Sequence, residues 1–148
     1  MAALGTRIAA ELRAGDLVLL NGELGAGKTT LTRGIGEALG VRGAVTSPTF
    51  VLARTHPRDP PTLPPLVHVD AYRLGSAMEL DDLDIDFETS ITVVEWGAGL
   101  TDGITDDWLQ VDITRPHGGD ESAEIEPREI VLTGHGKRWA RWVDAARD

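Results

Sequence analysis

With 148 residues, no cysteine and a formal net charge of −10, the chain has the size of one domain, able to bury roughly 68–70% of its unfolded surface in a single core. This balance excludes disulfide frameworks, thiolate metal sites and cysteine nucleophiles. Together with only two lysines, it argues against a large basic footprint for nucleic acid.

In chain order, Ala3, Leu4, Ile8, Ala9 and Leu12 recur at helical spacing and stop at Gly15, which predicts an amphipathic first helix. Leu17-Val-Leu-Leu20 reads as a short apolar strand, and a helix is expected from Lys28 to Leu39, closed by Gly40. Gly34 and Gly36 weaken that helix intrinsically and point to close packing against a neighbour. Phe50-Val-Leu-Ala53 is a predicted strand, and the segment from Arg54 to Pro65, which holds five of the eight prolines, an exposed loop. Leu66-Val-His-Val69 and Ile91-Thr-Val-Val94 are nearly continuous apolar runs, as strands covered on both faces should be, and each is followed by a carboxylate, Asp70 and Glu95. Between them, Glu79 to Glu88 interleaves six acids with apolar residues and reads as a solvated helix or turn face. Trp108 to Ile113 and Glu129 to Thr133 predict further strands near the sheet edge, and a short helix carrying Trp139, Trp142 and Val143 on one side closes the chain.

No repeat and no second domain interrupts this alternation, so residues 1–148 are expected to form one domain. The predicted fold class is α/β: with Gly22-Glu-Leu-Gly-Ala-Gly-Lys-Thr29 spaced as a phosphate-binding loop between the first strand and the second helix, it is a three-layer P-loop NTPase fold, with a mostly parallel central sheet and antiparallel strands near the C-terminus. No basic segment followed by an apolar stretch opens the chain, and no apolar run approaches the ~18–20 residues that span a bilayer. A cytoplasmic protein without membrane association is therefore expected.

The chemistry sits between the first strand and second helix. Gly22-Glu-Leu-Gly-Ala-Gly-Lys-Thr29 has the spacing of a phosphate-binding loop. Small residues let successive backbone amides face a phosphate, and the following helix adds the positive end of its dipole. Lys28 would reach the β- and γ-phosphates, and Thr29 would offer a hydroxyl to a magnesium ion. A second magnesium anchor needs an acid at the end of a neighbouring strand, and both Asp70 and Glu95 satisfy that pattern. The guanine-reading Asn-Lys-x-Asp element and an Asp-x-x-Gly switch are both absent from the sequence, which disfavours a GTPase.

Taken together, Gly22 to Thr30, Thr46-Ser-Pro-Thr-Phe50, His68-Val-Asp-Ala-Tyr-Arg-Leu74 and Val94-Glu-Trp96 resemble the TsaE family, also called YjeE, in both order and spacing. The resemblance covers about residues 4 to 134. It implies the ATPase component of bacterial tRNA threonylcarbamoyladenosine synthesis, working with ATP and Mg2+ beside TsaD and TsaB homologues and meeting tRNA only through that complex. By matching position it implies that Leu24, Gly25, Ala26, Gly27, Lys28, Thr29 and Thr30 bind the nucleotide. Thr29 and Glu95 would hold magnesium, with Lys28 and Asp70 as the catalytic pair and Asp70 orienting the attacking water. It further implies that Ser47 to Phe50 is a switch sensing the γ-phosphate through Thr49, and that Trp96 lies near the nucleotide. Family members usually carry a short segment before the first helix, and Gly-Arg where this chain has Pro127-Arg128. Weaker adenine discrimination and an altered turn contact are therefore expected. Two other readings compete: a nucleotide-gated interaction module without turnover, and a small-molecule kinase.

Overall fold

The computed structural model describes residues 2–22, 28–41, 53–70, 86–95, 107–114 and 129–146. In chain order these form α1 (Ala2–Glu11), β1 (Leu17–Gly22), α2 (Lys28–Leu39), β2 (Ala53–His56), β3 (Leu66–Asp70), β4 (Ile91–Glu95), β5 (Trp108–Thr114), β6 (Glu129–His135) and α3 (Lys137–Ala146). Among the described residues no helix is long and apolar enough to cross a membrane.

The six strands make one sheet in the order β2-β3-β4-β1-β5-β6. β1 lies between β4 and β5 and runs parallel to both, and β3 is parallel to β4. The fold is therefore α/β with a mostly parallel centre, and β6 is the antiparallel C-terminal strand that the sequence suggests. The other edge is antiparallel too, because β2 pairs with β3 from Ala53↔Val69 to His56↔Leu66. That strand extends into the segment read as a loop. Arg54 and Thr55 are exposed, as edge positions allow, while His56 is buried. The proline-rich stretch after it is anchored as well: Arg58 Nε donates to the Leu39 carbonyl at 2.9 Å and its guanidinium to the Pro64 carbonyl at 3.3 Å.

Both faces of the sheet carry buried side chains. On one face Val18, Leu20, Leu66, Ile91 and Val93 pack with Ile8, Leu31, Ile35 and Trp139 from all three described helices. On the other, Leu17, Leu19, Val67, Val69 and Val94 form a second buried cluster, with Phe87 and Trp108 against it. Phe87 lies in the acidic run, whose described part, Asp86 to Glu88, is a turn with both acids exposed.

α2 ends as its glycine predicts. Gly40 has φ +74°, its N–H donates to the Glu37 carbonyl, and the Val41 N–H reaches back to the Gly36 carbonyl at 3.1 Å. These are the two bonds of a Schellman cap, which needs a left-handed residue where glycine carries no steric penalty. One interior glycine of α2, Gly34, is explained by α1. A methyl group at Gly5 would lie 2.9 Å from the Gly34 carbonyl carbon and from the Ile35 nitrogen, so the two helix backbones nearly touch. That contact fixes the height of α2 above the sheet and hence the position of its first turn.

α3 closes the same face. Trp139 is fully buried with Trp142 edge-on at 5.7 Å, and Arg138 lies over the Trp139 ring at 4.5 Å. The Arg138 guanidinium also donates to the Asp16 carboxylate and to the Glu11 carbonyl at the end of α1. Asp16 in turn accepts from the Arg13 N–H at 2.8 Å. The first helix ends at Glu11, ahead of the expected stop at Gly15, and the Arg138 guanidinium satisfies the Glu11 carbonyl that the helix end leaves open.

Candidate functional site

Parallel strands put their carboxyl ends at the same edge of a sheet, and ligands of α/β folds collect in the crevice outside that edge. Here β1, β3 and β4 run parallel and neighbour one another, so Gly22, Asp70 and Glu95 terminate side by side. Asp70 and Glu95 are register partners on adjacent strands, which sets their backbones about 4.8 Å apart and points both side chains to the same face. That face is the one on which α2 lies.

α2 brings its first turn to this pair. Lys28 is buried and its ammonium donates to the Gly22 carbonyl at 2.7 Å, so the lysine folds back over the end of β1. Burial holds Lys28 below the ordinary lysine range, and the nearby charges of Glu95 and Asp70 pull it partly back up. Thr29 Oγ1 donates to Glu95 Oε1 at 3.4 Å. Thr32, one turn further, is buried but satisfied by the Lys28 carbonyl at 2.9 Å, which leaves the first-turn side chains to face the strand ends. Thr30 lies in the same turn and is exposed.

The second oxygen of Glu95 meets the fully buried histidine of β3. His68 Nε2 is hydrogen-bonded to Glu95 Oε2. An ionised carboxylate only accepts, so the ring proton sits on Nε2. His68 Nδ1 is buried without a hydrogen-bond partner among the described residues. His68 is two residues before Asp70 on β3, and period-two alternation brings both to the α2 side of the sheet. The sequence signal was a histidine interrupting an apolar strand, and that pattern alone also fits an ordinary packed ring.

Lys28, Thr29, Asp70 and Glu95, all singled out from sequence, thus converge at one end of the sheet. Leu24, Gly25, Ala26 and Gly27 lie outside the described residues, as do Ser47 to Phe50, Tyr72, Arg73 and Trp96. The oxygen donors fit a hard divalent cation such as Mg2+, because a hydroxyl and a carboxylate oxygen already point at one another beside a helix N-terminus. No cluster of three or more acidic, histidine or cysteine ligands occurs among the described residues, so any such ion would take part of its shell from phosphate or water.

A family model described as threonylcarbamoyl adenosine biosynthesis protein TsaE matches residues 1–124. The chain belongs to the TsaE family. Relatives named tRNA threonylcarbamoyladenosine biosynthesis protein TsaE include that of Streptomyces coelicolor, 58% identical over 143 residues that cover 95% of this chain and 94% of the relative. The Mycobacterium tuberculosis protein is 53% identical over 121 residues, covering 76% and 71% respectively, and the Bacillus subtilis protein 37% identical over 132 residues, covering 88% and 77%. Among solved structures, the crystal structure of Bacillus subtilis YdiB superposes with a TM-score of 0.72 at 32% identity, over 99% of this chain and 86% of that one. The P-loop fold expected from sequence is thus the fold of the TsaE family. The residues that the family model matches include the whole β1, α2, β3, β4 constellation, while β6 and α3 follow after its end.

Proposed function

We propose that this single-domain chain is a Mg2+-dependent ATPase that serves tRNA N6-threonylcarbamoyladenosine formation in association with TsaD and TsaB homologues. The observation that carries the reading is the convergence of Lys28, Thr29, Asp70 and Glu95 at the carboxyl ends of three adjacent parallel strands. Leu24 to Thr30 bind the phosphates through backbone amides, hydroxyls and the α2 dipole. Lys28 supplies a positive charge to the β- and γ-phosphates, and its cramped setting gives that charge more force than it would have in water. Thr29 and Glu95 hold the magnesium ion. When bound, that ion supplies Lewis-acid neutralisation of charge on the transferring phosphoryl group. Asp70 orients the attacking water and accepts its proton, a task for a carboxylate at the end of the strand beside the metal-holding acid.

The acidic balance of the chain, −10 overall, favours meeting tRNA through partner proteins and not by direct capture. In phosphoryl transfer a cationic group supplied in trans is worth about 10³–10⁵ in rate, so slow hydrolysis alone and faster hydrolysis with partners is the expected behaviour. The test is steady-state phosphate release at fixed salt, first for the isolated protein, then with a TsaD–TsaB pair, then with tRNA. Equal rates throughout would refute the coupling, and tight tRNA binding by the chain alone would refute the charge argument.

A further inference from the structure

We infer that His68 is a positioning residue for the metal site: its Nε2–H holds Glu95 Oε2, so that the carboxylate offers Oε1 alone, on the Thr29 side, to a divalent cation. This rests on the assignment of Thr29 and Glu95 as the magnesium-holding pair. Glu95 is gripped from two directions. His68 on β3 takes one oxygen, and Thr29 at the start of α2 donates to the other at 3.4 Å. A glutamate side chain has three rotatable bonds, and with Oε2 fixed from the adjacent strand the carboxylate can no longer turn both oxygens toward one ion. The ring is fully buried in a strand whose other core positions are Leu66, Val67 and Val69. A purely packing role there would be filled by a β-branched apolar residue without desolvating two ring nitrogens. Among the described residues Nδ1 has no hydrogen-bond partner, so the half of the ring's hydrogen-bonding capacity seen in use is the one on Glu95.

Hydrogen-bond partners that orient a metal ligand typically contribute 10–100-fold to metal affinity. The test compares Mn2+ binding, read by electron paramagnetic resonance in the presence of a non-hydrolysable ATP analogue, for the full-length wild type and His68→Gln, His68→Asn and His68→Leu. The glutamine amide reaches the position of Nε2, whereas the asparagine amide reaches only that of Nδ1, so the two differ in where the N–H lies and little in chemistry. Expected is Mn2+ affinity within about three-fold of wild type for His68→Gln and a loss of about 10–100-fold for His68→Asn and His68→Leu. Metal-free analogue affinity, measured alongside, should be the same in all four. Equal Mn2+ affinity in all four proteins would overturn the proposal, as would a loss in His68→Gln as large as that in His68→Leu. Loss of metal-free analogue binding in all three variants would overturn it too, because the ring would then be holding the fold. Absence of nucleotide-dependent Mn2+ binding in the wild type would instead refute the underlying reading of Thr29 and Glu95.

Discussion

Replacing Gly5 with alanine sets two effects of known size against each other. Gly5 is within α1, where alanine is favoured over glycine by about 0.5–1 kcal/mol because the unfolded glycine has more freedom to lose. The new methyl group, however, would sit 2.9 Å from backbone atoms of Gly34 and Ile35, and backbone in the middle of a packed helix cannot swing aside as a side-chain tip can. Overpacking of this kind costs about 1–3 kcal/mol. The net expectation is a destabilisation of about 1–2 kcal/mol, which for a protein of this length lowers the melting temperature by about 2–8 °C. Because relief requires α1 and α2 to separate, the first turn of α2 moves with it, so nucleotide affinity should fall even at temperatures where the variant is fully folded. Scanning calorimetry with and without an ATP analogue measures both effects. A melting temperature at or above that of the wild type would refute the claim that the helix contact sets the height of α2.

Thr29→Ala and Glu95→Gln should each weaken Mg2+-dependent ATP binding, whereas Asp70→Asn should spare binding and slow single-turnover hydrolysis by about 10²–10⁴; the reverse pattern for the two acids, seen by calorimetric titration, would exchange their roles. Burial outweighs the two neighbouring carboxylates at Lys28, so Lys28→Met should raise the melting temperature of the nucleotide-free protein while abolishing ATP binding; a lower melting temperature would mean that the bond to Gly22 and the attraction to Glu95 and Asp70 together matter more than the desolvation. His56 is held below the ordinary histidine value, first by burial and then by His68 and Arg54. Its unfolded form therefore binds a proton that the folded form refuses, and stability present above about pH 6.5 is lost as pH falls below it. A thermal-melt series from pH 8 to 5 should show a shallower decline for His56→Gln than for the wild type, and parallel curves would exclude His56 as the cause.

Much of the site could be read from sequence because its parts announce themselves locally. A glycine-rich turn between an apolar strand and an amphipathic helix predicts Lys28 and Thr29 at a helix start, and the structure begins α2 at Lys28. An apolar run ending in an acid predicts a strand-end carboxylate, and β3 and β4 do end at Asp70 and Glu95. What sequence could not supply is which neighbours meet. β2 was missed beyond Ala53 because Arg54, Thr55 and the prolines that follow carry the composition of a loop, and an edge strand tolerates that composition while one side faces solvent. Gly34 and Gly36 signalled a close approach, but nothing marked Gly5 as the place where it happens. His68 was legible only as an irregularity, since its hydrogen bond to Glu95 exists only once β3 and β4 lie side by side.

The central place of β1 also bears on how the chain comes to fold as it is made. Its two flanking strands, Ile91–Glu95 and Trp108–Thr114, are synthesised long after it, and the guanidinium that closes the end of α1 comes from residue 138. A growing chain that has released only α1, β1 and α2 therefore carries Leu17 to Leu20 with both ladder edges open, the kind of surface that invites pairing with another nascent chain. Long-range closure of this kind slows folding. Fragments that stop before Trp108 should accumulate in aggregates, while chains extending through α3 acquire protease resistance in a single step once α3 has left the ribosome.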